Sequence, residues 1–253
     1  MLPQTFRPGF GAALLLAGAI HFVPGAAQAD GLRYSIGIYV GAMSSPFDSG
    51  DADGFAAPDF LIEGERFSFG TSGLTYDLFQ NDSVTLSARL APRFVMADPT
   101  DVPGLERLKK DIAVEAGLAA TLTYGQVELG MEALKDVSDT HDGAAVSAFV
   151  GTRVQVSDRF GIGAQVGATW MDQKLATYTY GVRPSEAGGG LAAYAVKESV
   201  IPSVGIDASF ALTDHATLVG GLSAEFLPDS VTASPIVKRD AVVSATLGLR
   251  YAF

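Results

Sequence analysis

Cysteine is absent from all 253 residues. No disulfide can hold this chain together, and neither thiol chemistry nor a cysteine-ligated metal site is open to it. Positive charge is scarce: 17 Lys and Arg stand against 28 Asp and Glu, a formal net charge of −11, which excludes the basic surface that a nucleic-acid partner needs. Long apolar runs are missing as well. After residue 30 no stretch comes near the roughly 18 uninterrupted apolar residues of a transmembrane helix. A chain of this kind can cross a membrane only as a closed β-barrel, in which every backbone polar group finds a partner. What is present, 48% hydrophobic residues and 29 glycines, excludes a disordered or collagen-like chain and leaves one large domain as the expectation.

The opening residues, MLPQTFRPGFGAALLLAGAIHFVPGAAQAD, read as an export signal. Arg7 supplies the positive start, Phe10 to Val23 the apolar centre, and Ala27-Gln28-Ala29 the small-residue cleavage site before Asp30. Pro24 and Gly25 interrupt a run already short for a bilayer anchor. The expected organisation is a signal peptide at 1–29 and a single domain at 30–253.

Two-residue periodicity fills nearly all of that domain. Leu32, Tyr34, Ile36, Ile38 and Val40 alternate with small or polar residues. So do Val84, Leu86, Ala88 and Leu90, and Ile112, Val114, Ala116, Leu118, Ala120 and Leu122. The pattern returns in 126–137, 144–156, 160–172, 199–212, 216–227 and 242–253. The segment 58–78 is read as one long strand with a bulge at Gly64. Connections alternate in length: tight polar turns near 81, 125, 158 and 214 take turns with longer links at 42–57, 96–109, 138–143, 173–198 and 228–241. That rotation predicts an all-β, antiparallel, up-and-down transmembrane barrel of about ten strands, with turns at one end and loops at the other.

A soluble sandwich would give the same alternation in any single strand. It would charge its polar faces more heavily than these, which are rich in Gly, Ser, Thr and Ala, as a narrow barrel interior requires. The charges on those inner faces are Arg89, Arg93, Glu115, Glu128, Glu132 and Arg153, with opposite signs on neighbouring strands.

Catalytic parts are few. Of three histidines only His141 sits among acids, in Ser138-Asp139-Thr140-His141-Asp142-Gly143, and residues so close in sequence form a turn capped by Asp139 and Asp142 far more often than a relay. Asp48, Asp51 and Asp53 have the alternate spacing of a calcium loop without its terminal glutamate. Gly188-Gly189-Gly190 lacks the Lys-Ser/Thr of a phosphate loop and reads as a loop tip. No enzyme activity, cofactor or metal is expected. Tyr178, Tyr180 and Tyr194, with Trp170 before them, read as rim aromatics at a membrane interface or as a ligand-binding mouth, and the loop at 173–198 as a plug or a rim cover.

The chain resembles the MipA/OmpV family of Gram-negative outer-membrane proteins over its whole mature length. The likeness rests on DSGDADGFAAPDF near 48–60, DVSDTHDG at 136–143, YTYGVRPSEAGGGLAAY at 178–194, SPIV at 234–237 and the terminal YAF. Its most specific part is the loop motif of Tyr180, Gly181, Val182, Glu186 and Tyr194. The resemblance implies residence in the outer membrane among its lipids. It also implies a scaffold role in peptidoglycan remodelling, linking a murein transglycosylase to a murein synthase. Other members imply adhesion or permeability, so a narrow channel for small solutes stands as the alternative. Tyr251 and Phe253 resemble the C-terminal signal read by the barrel-assembly machinery.

Overall fold

A computed structural model describes residues 31–47, 50 and 52–253. The expected signal peptide with Ala27, Ala29 and Asp30 lies outside the described residues, as do Asp48 and Asp51.

Twelve strands form one closed antiparallel barrel: β1 (Arg33–Met43), β2 (Asp53–Glu63), β3 (Phe67–Gly70), β4 (Gly73–Gln80), β5 (Val84–Arg93), β6 (Ala113–Tyr124), β7 (Val127–Asp136), β8 (Ala144–Ser157), β9 (Phe160–Met171), β10 (Ser199–Ala211), β11 (Ala216–Phe226) and β12 (Ala241–Ala252). Each strand pairs with its neighbours in sequence, and β1 closes on β12. The outward face is the apolar one: Ile38, Leu118 and Ile206 are 54%, 53% and 58% exposed. A protein that showed this face to water would aggregate, so it is the lipid face of a transmembrane barrel. No helix among the described residues is long and apolar enough to cross a membrane.

The expected count of about ten strands is corrected to twelve. Residues 58–78 are not one bulged strand; Gly64-Glu65-Arg66 turns the chain between β2 and β3, and Thr71-Ser72 turns it again into β4. Gly64 N donates to Phe67 O at 2.9 Å, and the Arg66 guanidinium donates to the carbonyls of Asp77 and Leu78, locking the first turn. At the second, Gly73 takes φ +98°, and a Cβ there would lie 2.1 Å from Leu90 O, so only glycine fits. Two added strands keep the count even and leave the start of β1 and the end of β12 at the turn end. Alternation of loop lengths therefore could not tell ten from twelve, and the Thr71-Ser72 link is the short loop that the rotation rule did not allow. The expected links at 42–57 and 173–198 also contain structure. β2 begins at Asp53, and α1 (Gln173–Tyr180) occupies the second.

Loops at one end pack into an apolar cap. Phe47, Leu105, Leu108, Leu175, Val182, Val196, Val231 and Ile236, from four separate connections, are buried together. Leu108, Leu175 and Ile236 have no exposed surface, and burial of each contributes about 1.5–3 kcal/mol. Asp172 caps α1 by accepting from Leu175 N at 2.8 Å. The start of α1 rests on Gly143, where a Cβ would lie 2.5 Å from Leu175 N.

Candidate functional site

Inside the barrel the small inner residues make room for ion pairs that reach over an intervening strand. Arg153 on β8 meets Asp207 on β10 at 3.0 Å. Between them on β9 is Gly163, where a Cβ would lie 2.7 Å from Asp207 Oδ1 and 3.0 Å from Arg153 Nη2. Arg250 on β12 meets Asp59 on β2 at 2.6 Å across Gly37 of β1, and also donates to the Tyr39 hydroxyl at 3.1 Å. Arg89 on β5 meets Glu132 on β7 at 3.4 Å across β6. Arg93 and Glu115, on adjacent strands, meet at 2.8 Å. Glu128 is buried and acts on the same guanidinium of Arg153 that Asp207 binds. All six sequence-derived lumen charges are thus buried or half-buried inside the wall. Glu132 turns back to Arg89 rather than toward Arg153, and the roles of Asp207, Asp59, Arg250 and Tyr39 had no adjacent-strand signal.

The interior charges run up to the cap. Glu115 also faces His141 Nε2 at 3.4 Å. His141 Nδ1 accepts from Gly143 N at 3.0 Å, so a neutral ring carries its proton on Nε2, toward Glu115. Asp136, not Asp139 or Asp142, organises this turn: it accepts from the amides of Ser138, His141 and Asp142 and from the Ser138 hydroxyl. Asp139 and Asp142 instead supply left-handed backbone, φ 57° and 56°. Ser138 Oγ is engaged with Asp136 and Val114 N, so no Ser-His-Asp relay is assembled.

Tyr178 and Tyr180 point inward from α1 and are buried, which corrects their reading as interface aromatics. The Tyr178 hydroxyl donates to Asp111 O at 2.8 Å and accepts from Asp111 N at 2.7 Å. Its ring lies 5.5 Å from that of His141, tilted by 37°, with Lys110 and Arg183 each 5.1 Å from the centroid. Both cations converge on Glu186, Lys110 at 3.0 Å and Arg183 at 2.7 Å. Burial pushes the Glu186 carboxyl up, but hydrogen bonds from the Arg183 side chain and backbone and from Lys110 outweigh it and hold it below its ordinary value. Burial also raises the Tyr178 and Tyr180 phenols and lowers the Lys110 ammonium.

Val182 and Tyr194 exchange two backbone hydrogen bonds of 2.9 Å, closing the base of the loop motif. Gly181 ends α1, and Gly188-Gly189-Gly190 form a turn with positive φ throughout. Trp170 remains on the outward row of β9, and Asp53 opens β2. At the opposite end Phe253 N donates to Tyr34 O, and the Tyr251 and Phe253 rings meet edge to face at 5.2 Å. Between cap and lumen lies a cavity of about 120 Å³, bounded by Met43, Phe47, Phe94, Met171, Tyr180 and Val242.

A family model described as MltA-interacting protein MipA matches residues 36–253. YiaT of Escherichia coli (strain K12), named as an outer membrane protein, is 25% identical over 239 residues, covering 93% of this chain and 97% of its own. The MltA-interacting protein of the same strain is 26% identical over 240 residues, covering 90% and 93%. Among solved structures, a bacterial polysaccharide outer membrane secretin aligns over 87% of this chain and 98% of its own, at 10% identity and a TM-score of 0.49.

Proposed function

The chain belongs to the MltA-interacting protein MipA family, and from that membership we propose that it is a non-enzymatic scaffold that docks a murein transglycosylase at the outer membrane. It is an outer-membrane β-barrel. The observation that carries the reading is the closed interior. An apolar cap seals one end, and the lumen beneath it is crossed by paired charges, which opposes the channel alternative. The partner class comes from the name of the relative that is 26% identical.

In this reading the loop end faces outside and the turn end faces the murein. Five short turns, the start of β1 and Phe253 form that inner rim. Tyr124 and Phe253, 85% and 68% exposed, are its protruding aromatics, the residue type that dominates interface energetics. The test is capture of a purified murein transglycosylase by the reconstituted barrel. Tyr124→Ala should weaken capture about tenfold, the loss expected of one interface anchor, while Glu106→Ala at the loop end leaves it unchanged. Absence of capture, or a loss at Glu106 only, refutes the reading.

A further inference from the structure

The barrel wall is not paired along its full height. β3 meets β2 only at residues 61–63, and β4 meets β5 no further than Leu90. Beyond the Thr71-Ser72 turn, residues 53–59 of β2 and 91–93 of β5 face each other with no strand between them among the described residues. At a strand spacing of about 4.8 Å, two missing strands leave a slot about 14 Å wide at the hairpin tip.

Register fixes which backbone groups border this slot. Phe60 turns its N–H and C=O toward β3, where Thr71 Oγ1 accepts from the first and Thr71 N donates to the second, both at 3.2 Å. By the two-residue repeat, Pro58 faces the same side. Across the slot the Leu90 carbonyl points at Gly73, so Pro92, two residues on, also faces the opening. The first slot-facing residue on each edge is therefore a proline, which has no N–H to leave unsatisfied. An open edge in hydrocarbon costs several kcal/mol per orphaned group. These prolines remove the first donor on each edge, next to the hairpin tip.

Depth and lining show what the slot meets. Pro58 pairs with Ile38 and Pro92 with Val114, both outward residues of the lipid-facing belt, 54% and 38% exposed. Arg93, which borders the slot at the end of β5, also lines the 120 Å³ cavity, and Met43, paired with Asp53 at the start of β2, lines it from β1. Phe94 and Val95 continue into it directly from β5, Met43 and Phe47 border it from the β1 side, and Arg93 and Glu225 give it a polar end. The cap covers the cavity from the loop side. An apolar cavity of about 150 Å³ holds a benzene molecule, so this one takes the terminal carbons of an alkyl chain.

We propose that the slot between β2 and β5 admits an acyl chain of a lipid in the leaflet at the loop end, sideways from the bilayer, into this cavity. The chain's lack of cysteine permits a direct test with single cysteines carrying bimane, in phosphatidylcholine vesicles whose acyl chains are brominated. Ala57→Cys faces inward at the slot, Ala119→Cys faces inward from a fully paired wall, and Leu118→Cys faces lipid. Quenching at position 57 should lie within about twofold of that at 118 and well above that at 119. Quenching at 57 no greater than at 119 overturns the proposal. Should a labelled variant fail to fold, the unmodified chain decides in vesicles of phosphatidylcholine bearing a chain-terminal diazirine. Photoadducts on Phe94, Val95 or Met43 are the expected result, and adducts confined to outward residues such as Leu118 and Leu247 overturn it.

Discussion

Replacing Arg250 by methionine keeps an unbranched apolar stem and removes one guanidinium from the lumen. That group donates twice to Asp59 Oδ2, at 2.6 and 3.2 Å, and once to the Tyr39 hydroxyl. The Arg250 and Asp59 side chains are only 9% and 13% exposed, so without Arg250 the Asp59 carboxyl is left unpaired with little water around it. Removing one partner of a buried pair costs about 3–5 kcal/mol, whereas replacing both by apolar residues is often neutral. Arg250→Met should therefore lower unfolding stability by about 3–5 kcal/mol, and Arg250→Met with Asp59→Leu should be more stable than Arg250→Met alone. Urea unfolding in lipid vesicles measures both, followed by the emission of Trp170, the chain's single tryptophan. A loss below about 1 kcal/mol in the single variant, or additive losses in the double, would refute the view that strand-skipping pairs hold the interior.

Leu118→Arg should cost about 2–4 kcal/mol on the lipid face while Ala119→Ser is mild, and equal tolerance in the same unfolding assay would contradict the register. Glu186 has its pKa lowered by folding, so its contribution is present above the ordinary glutamate range and lost as pH falls through the folded value. Hydrogen-exchange protection in residues 173–198, taken relative to the intrinsic rate at each pH, should fall on acidification in the wild type. The acid-dependent part should vanish in Glu186→Gln, and its persistence there would assign it to another group. Twelve strands place Glu106 at the loop end and Glu65 and Asp158 at the turn end. A membrane-impermeant maleimide on intact cells should thus label Glu106→Cys but spare Glu65→Cys and Asp158→Cys, and the reverse pattern would invert the topology.

The alternation of residues 242–253 or 112–122 sufficed to place strands because each face meets a different solvent, lipid or lumen, and the side-chain period is two. Residues 58–78 were not legible in the same way. β3 and β4 there are short, with four and eight residues, and what separates them is close backbone approach at Gly73 and the Arg66 clamp on the Asp77 and Leu78 carbonyls, contacts between positions far apart in sequence. The lumen charges could be found by their faces, but not paired. Gly163 and Gly37 let arginines reach two strands away, and only the assembled wall reveals which acid lies there. Likewise Tyr178 and Tyr180 look like rim aromatics in sequence. They turn inward because α1 folds over Gly143 into the cap, burying more apolar surface than a rim position would.

Conductance of the purified barrel in planar bilayers tests the closed interior most directly. With the cap packed and Arg89, Arg93, Arg153 and Arg250 engaged with Glu132, Glu115, Asp207 and Asp59, the wild-type protein should show no steady current. Arg153→Ala should destabilise the fold without opening a path. A stable wild-type conductance whose selectivity shifts toward cations in Arg153→Ala would contradict the account and make the barrel a channel.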